Sequence, residues 1–123
     1  VHLVGYQSDP APFYRAMDLF ALTSDSEQMP VCLLEAMASR LPVVATDVGD
    51  VRTMLPPEQA GLLVPVAGTG TAARLARHME EILSDGALRL RLGQANRRRV
   101  AESYAFESML SAYHGLYEEA MRA

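Results

Sequence analysis

The chain has 123 residues, half of them hydrophobic and 21% charged, which suits one globular domain or part of one and excludes a disordered chain. Its net charge of −4, carried with eleven arginines and no lysine, argues against a nucleic-acid module and excludes a P-loop or Schiff-base lysine within it. The single cysteine, Cys32, excludes an internal disulfide framework and a cysteine-based zinc site, and it points to a reducing compartment.

Four short apolar segments come first, at residues 1–4, 19–23, 42–46 and 61–64. They are nearly continuous in hydrophobicity, as strands buried on both faces of a parallel sheet are. The gaps hold the crossover helices that parallel neighbours require. One helix is expected over 10–18 and a second over 30–39, with Pro30 as its first residue. A helical turn near 51–55 ends at Pro56 and Pro57. After Pro65 the period becomes helical: Leu75, Met79, Ile82 and Leu83; then Leu88, Leu92, Ala95 and Val100; then Phe106, Met109, Leu110, Tyr113, Leu116 and Tyr117. The expected fold is therefore α/β, a partial Rossmann-like parallel sheet of about four strands with a C-terminal helical cap. The β/α portion covers 1–66 and the helical portion 67–123. No apolar run reaches the ~20 residues of a membrane span, and nothing at the start reads as a signal peptide.

Charge divides along the same line. Residues 1–68 carry three arginines against eight acids, a balance of −5, and the remainder balances to +1. Arg97, Arg98 and Arg99 form one cationic run, better explained by a solvated helix face than by a phosphate or membrane patch. His2, His78 and His114 are too scattered for a metal cluster, and Gly68-Thr69-Gly70 reads as turn chemistry. Cys32, near a helix start, is a candidate for a lowered pKa, but packing as a small apolar residue is the simpler role.

Ligands of open α/β sheets bind beyond the carboxyl ends of the strands. That directs attention to the loops after Thr23 and Thr46. The first, Ser24 to Pro30, leads into a helix whose first amides, at Val31 and Cys32, have no intrahelical acceptor. With the helix dipole they suit an anion. Glu27 precedes that helix start and Glu35 lies inside it, five residues past Pro30, or about 7–8 Å along the axis. This is roughly the separation of a diphosphate from the ribose of a nucleotide. The plainer reading makes Glu27 a loop acid and Glu35 a solvated helix residue. Asp47, Gly49 and Asp50, beyond the third strand, suit either a ligand contact or a tight turn.

The runs Leu19-Phe20-Ala21-Leu22-Thr23-Ser24, Glu27-Gln28-Met29-Pro30, Leu33-Leu34-Glu35-Ala36-Met37-Ala38 and Leu41-Pro42-Val43-Val44-Ala45-Thr46-Asp47-Val48-Gly49 closely resemble the C-terminal domain of the group 1, family four retaining glycosyltransferases of GT-B fold. Glu27 and Glu35 match that family's acid-seven-acid motif. Gly61-Leu62-Leu63-Val64-Pro65, Leu88-Arg89, Leu92-Gly93 and Arg99-Val100 extend the likeness. The resemblance implies that Glu35 binds the donor ribose and that Glu27 lies near the transferred sugar as the catalytic acid of the pair. It also implies that the loop and helix start, Gln28, Met29, Pro30, Val31 and Cys32, hold sugar hydroxyls and diphosphate. Two positions depart from the pattern: Gln28 stands where a glycine is usual, and Ser39-Arg40-Leu41 replaces a glycine turn.

The resemblance further implies a nucleotide-sugar donor and no metal or other cofactor, and the acidic balance of the chain leaves no nucleic-acid partner expected. The diphosphate-neutralising Arg and Lys and the acceptor-binding N-terminal domain of such enzymes are not in this chain. It is therefore expected to be a fragment, inactive alone, that pairs with the missing domain or with a second copy as a homodimer. The expected location is the cytoplasm, with peripheral contact at the inner membrane face. A nucleotide-sugar epimerase fragment and a non-catalytic nucleotide-binding or interaction module are the alternatives.

Overall fold

The computed structural model describes residues 1–122. Its elements run α1 (Ala11–Ala16), β1 (Phe20–Leu22), α2 (Val31–Ala38), β2 (Val43–Thr46), α3 (Val51–Met54), a 3-10 turn (Pro57–Leu62), β3 (Leu63–Val64), α4 (Thr71–Ser84), α5 (Gly86–Ser103) and α6 (Phe106–Arg122). The sheet is parallel in the order β1-β2-β3, with Phe20 opposite Val43 and Ala45 opposite Leu63. The α/β class expected from the apolar pattern is the one observed.

The central strand shows why that pattern was continuous. Val43 and Ala45 enter one core with Leu33 and Met37 of α2 and Val51 and Met54 of α3. Val44 points the other way, to Val64, Leu75, Ile82 and Leu92 of β3, α4 and α5. Every residue of β2 is buried because helices cover both faces of the sheet. Each such aliphatic side chain contributes roughly 1.5–3 kcal/mol by leaving water.

Three expectations are corrected. The sheet has three strands, not about four: residues 1–4 form exposed irregular chain, and Gly5 turns it with a φ of 66°. An apolar run becomes a strand only where an edge receives it, and no described strand pairs with this one. The segment 61–64 shortens to β3, because the prolines start a 3-10 turn that runs through Leu62. Pro30 is the cap before α2, not its first residue: its φ of −68° is helical but its ψ of 116° is extended. Its carbonyl accepts the Leu33 N–H at 3.1 Å, so the amides of Val31 and Cys32 still precede the first intrahelical bond.

Two long helices complete the far layer and a third leaves it. Asp85 caps α5, its carboxylate accepting the Leu88 N–H at 2.9 Å. Gly93 lets α5 seat on the α2–β2 turn, where a β-carbon would come within 2.0 Å of the Arg40 carbonyl oxygen. α6 buries none of its residues. No described helix is long and apolar enough to cross a membrane.

Candidate functional site

The loop from Thr23 to Pro30 lies beyond the carboxyl end of β1 and is fastened at both ends. Thr46, the last residue of β2, is buried and donates its hydroxyl to the Ser24 carbonyl at 2.6 Å. Farther along, the Asp50 N–H donates to the Gln28 carbonyl at 2.8 Å. Gly49 has a φ of 51°, and a β-carbon there would sit 2.3 Å from the Glu27 carbonyl oxygen. Gly49 therefore serves two needs at once, the turn and the close approach of two loops. Asp47 does not project freely toward the site but pairs with Arg52.

The two carboxylates are each half-buried. Glu27 is held within its own loop, accepting the Ser24 hydroxyl at 2.7 Å. Glu35 accepts the phenol of Tyr14 on Oε2 at 2.9 Å. Glu35 is therefore not the freely solvated helix residue of the plainer reading: α1 packs on α2, and that packing delivers a hydroxyl to the carboxylate. Cys32 lies between the two acids. Burial pushes its thiol up, and the charges of Glu27 and then Glu35 push it further. Those surroundings work against a lowered thiol pKa, and Cys32 packs against the β1–α2 core as a small apolar residue.

Of the other loop positions, Gln28, Met29 and Val31 are exposed and Pro30 is buried. Gln28 keeps an ordinary negative φ, since Arg40 is the one described non-glycine residue with a positive value. The loop path therefore does not require the usual glycine. Glu35 also lines a groove of about 310 Å³ with Asp9, Pro10, Ala11, Tyr14, Ala38 and Ser39. Among the described residues, no three His, Cys, Asp or Glu side chains gather as a metal cluster.

The family model for glycosyl transferases group 1 matches residues 1–85. The chain belongs to that family. A lipopolysaccharide core biosynthesis glycosyltransferase, LpsE, of Rhizobium meliloti is 31% identical over 92% of this glycosyl transferase chain and 32% of its own length. The chain thus spans about a third of that curated relative. Among solved structures, sucrose-phosphate synthase from Thermosynechococcus elongatus superposes with a TM-score of 0.82 at 32% identity, over 92% of this chain and 28% of that one. The C-terminal domain of the group 1 family protein LpcC from Francisella tularensis superposes with a TM-score of 0.69 at 29% identity, over 84% of this chain and 53% of that one.

Several residues that shape the site of this glycosyl transferase chain were not legible as such. Tyr14 falls within the helix expected over 10–18, and nothing in the chain pattern ties it to Glu35. The cationic run is only partly a solvated face. Arg97 donates to the Ala38 carbonyl at the end of α2, and Arg99 donates to the Thr53 carbonyl at 2.8 Å at the end of α3. Both guanidinium groups thus sit where helix carbonyls lack partners and the dipole is negative. The signal was their spacing two apart within one helix, which cannot reveal which distant helices end beside them.

Proposed function

We propose that this chain is the donor-binding part of a transferase that moves a sugar from a nucleotide sugar to an acceptor hydroxyl with retention of anomeric configuration. The supporting observation is the pair of half-buried carboxylates, Glu27 and Glu35, flanking a helix start that no side chain caps. In this reading Glu35 accepts hydrogen bonds from the ribose hydroxyls. The amides of Val31 and Cys32, with the dipole of α2, receive the diphosphate. The Gln28 and Met29 backbone and the Pro30 turn line the path to the sugar, and Glu27 lies beside it. The bond from the anomeric carbon to the diphosphate oxygen breaks, the acceptor oxygen bonds to that carbon on the same face, and the acceptor's hydroxyl proton passes to the departing diphosphate. The chain's contribution is electrostatic, stabilising charge that grows on the leaving diphosphate. The reading includes no metal. It places the protein in the cytoplasm, in keeping with its one free cysteine.

Donor and acceptor must be held together for transfer. The isolated chain, a third of its relative's length, is therefore proposed to bind donor without turning it over. The test is calorimetric titration of uridine and guanosine diphosphates into the chain and its Glu35→Gln variant, with a melting curve for each. The expected loss is roughly ten- to a hundredfold in affinity, the size of one charge-assisted hydrogen bond. Melting should fall only slightly, since Glu and Gln have similar helix propensity and the Gln amide oxygen can still accept the Tyr14 hydroxyl, though without the charge. Equal affinities would return Glu35 to a structural role.

A further inference from the structure

Tyr14 has a buried ring and a hydroxyl that the packing alone does not explain. Tyr14 as a whole is 8% exposed; its ring stacks tilted on Phe20 at 6.0 Å and packs with Ala36 and Leu41. Phenylalanine would satisfy all of those contacts. The hydroxyl instead spends its proton on Glu35, 21 residues away, at the wall of the groove that both side chains line. A phenol is protonated and donates at neutral pH, and burial and then the neighbouring carboxylate push this one up further.

A helical glutamate has three rotatable bonds, and a free one samples many orientations. A ring held by the core, bonded to one carboxylate oxygen, removes most of that freedom. An ionised carboxylate accepts about four hydrogen bonds, so one donor leaves the other oxygen and a further lone pair unfilled. We infer that Tyr14 is a positioning residue that orients Glu35 to receive the vicinal diol of a ribose in the groove beside Asp9, Pro10 and Ser39. This rests on the donor-binding reading of Glu35. The orientation is set before ligand arrives, which lowers the ordering cost of binding.

The distinguishing readout is the preference for ribo- over 2′-deoxyribonucleotide, which a purely structural role for Tyr14 does not move. The chain, Tyr14→Phe and Glu35→Gln are titrated by amide NMR with uridine and guanosine diphosphates and with their 2′-deoxy forms, and each is melted. Tyr14→Phe keeps the ring and so keeps the fold. It is expected to reduce the ribo preference roughly three- to tenfold, one hydrogen bond's worth, while leaving deoxy affinity and melting near the parent values. Glu35→Gln is expected to abolish the preference. If Glu35→Gln loses it and Tyr14→Phe keeps it, Tyr14 does not position Glu35. If Tyr14→Phe weakens both sugars equally, its role is structural and the inference is overturned. If Glu35→Gln keeps the preference, or no nucleotide shifts any signal, the donor-binding reading itself falls and takes this inference with it.

Discussion

Arg40 turns the chain out of α2 with a φ of 63°, in the region that a β-carbon disfavours. The Leu41 N–H returns to the Ala36 carbonyl at 3.1 Å and the Arg40 N–H to that of Met37 at 3.0 Å. This two-bond cap is the usual place for glycine. The arginine side chain is exposed, so packing does not offset the strain. Arg40→Gly is expected to stabilise the chain by about 0.5–1 kcal/mol, the steric relief exceeding the extra entropy glycine brings to the unfolded state. The check is a denaturant midpoint that rises at constant slope. A fall would show that the arginine contributes something beyond the turn. The resemblance marked this glycine-lacking turn, and the structure shows that arginine adopts the glycine conformation. At Gln28 the opposite holds, because the loop path there does not call for glycine at all.

At the scale of elements, a buried polar chain ties three of them together. The Val43 N–H donates to Gln59 Oε1 at 2.8 Å, Gln59 donates its amide to Asn96, and Asn96 donates to the Leu41 carbonyl at 2.7 Å. Gln59 and Asn96 are fully buried. The 3-10 turn thereby closes the start of β2, and α5 closes the turn before it. Asn96→Ala leaves the Gln59 amide and the Leu41 carbonyl without partners. The expected loss is about 2–4 kcal/mol, since each orphaned buried group costs roughly 1–3. Denaturant unfolding of Asn96→Ala, Gln59→Ala and the double variant forms the check. The double is expected to cost less than the sum, because the two side chains act as one network. Strict additivity would mean that they act separately. Neither residue stood out in the sequence, where each is a single polar position with no periodic pattern marking it as buried. The pairing spans 37 residues and exists only once α5 lies over the sheet.

For the whole molecule, two apolar surfaces lack a cover within the described chain. The edge of β1 has no neighbour on one side, and Ala21 is exposed there. α6 presents Phe106, Met109, Leu110, Tyr113, Leu116 and Tyr117, all exposed. These recur at three- and four-residue spacing, so they form one stripe. Open edges and apolar stripes seek partners. We predict that the chain self-associates at micromolar concentration, with α6 in the contact, and that Leu110→Asp with Tyr113→Asp shifts it to monomer. Sedimentation velocity across a concentration series decides this. A monomer throughout would mean that neither surface pairs with a second copy.

What the sequence determined by itself was whatever depends on local pattern. The continuous apolar runs at 19–23 and 42–46 became β1 and β2, because burial on both faces leaves no polar alternation to find. The helical stripes after residue 70 became α4, α5 and α6, and the acids at 27 and 35 came to flank the start of α2. What only the tertiary structure decided was who meets whom across long separations. Residues 1–4 are an apolar run like those of the true strands, yet they stay exposed and unpaired although one edge of β1 is open, because no element of the described chain packs them against it. The Tyr14 phenol on Glu35, Gly49 against the Glu27 carbonyl, and the arginines of α5 on the ends of α2 and α3 share that cause. Each joins residues that are neither neighbours in the chain nor related by any period, so their meeting is fixed by how the layers pack.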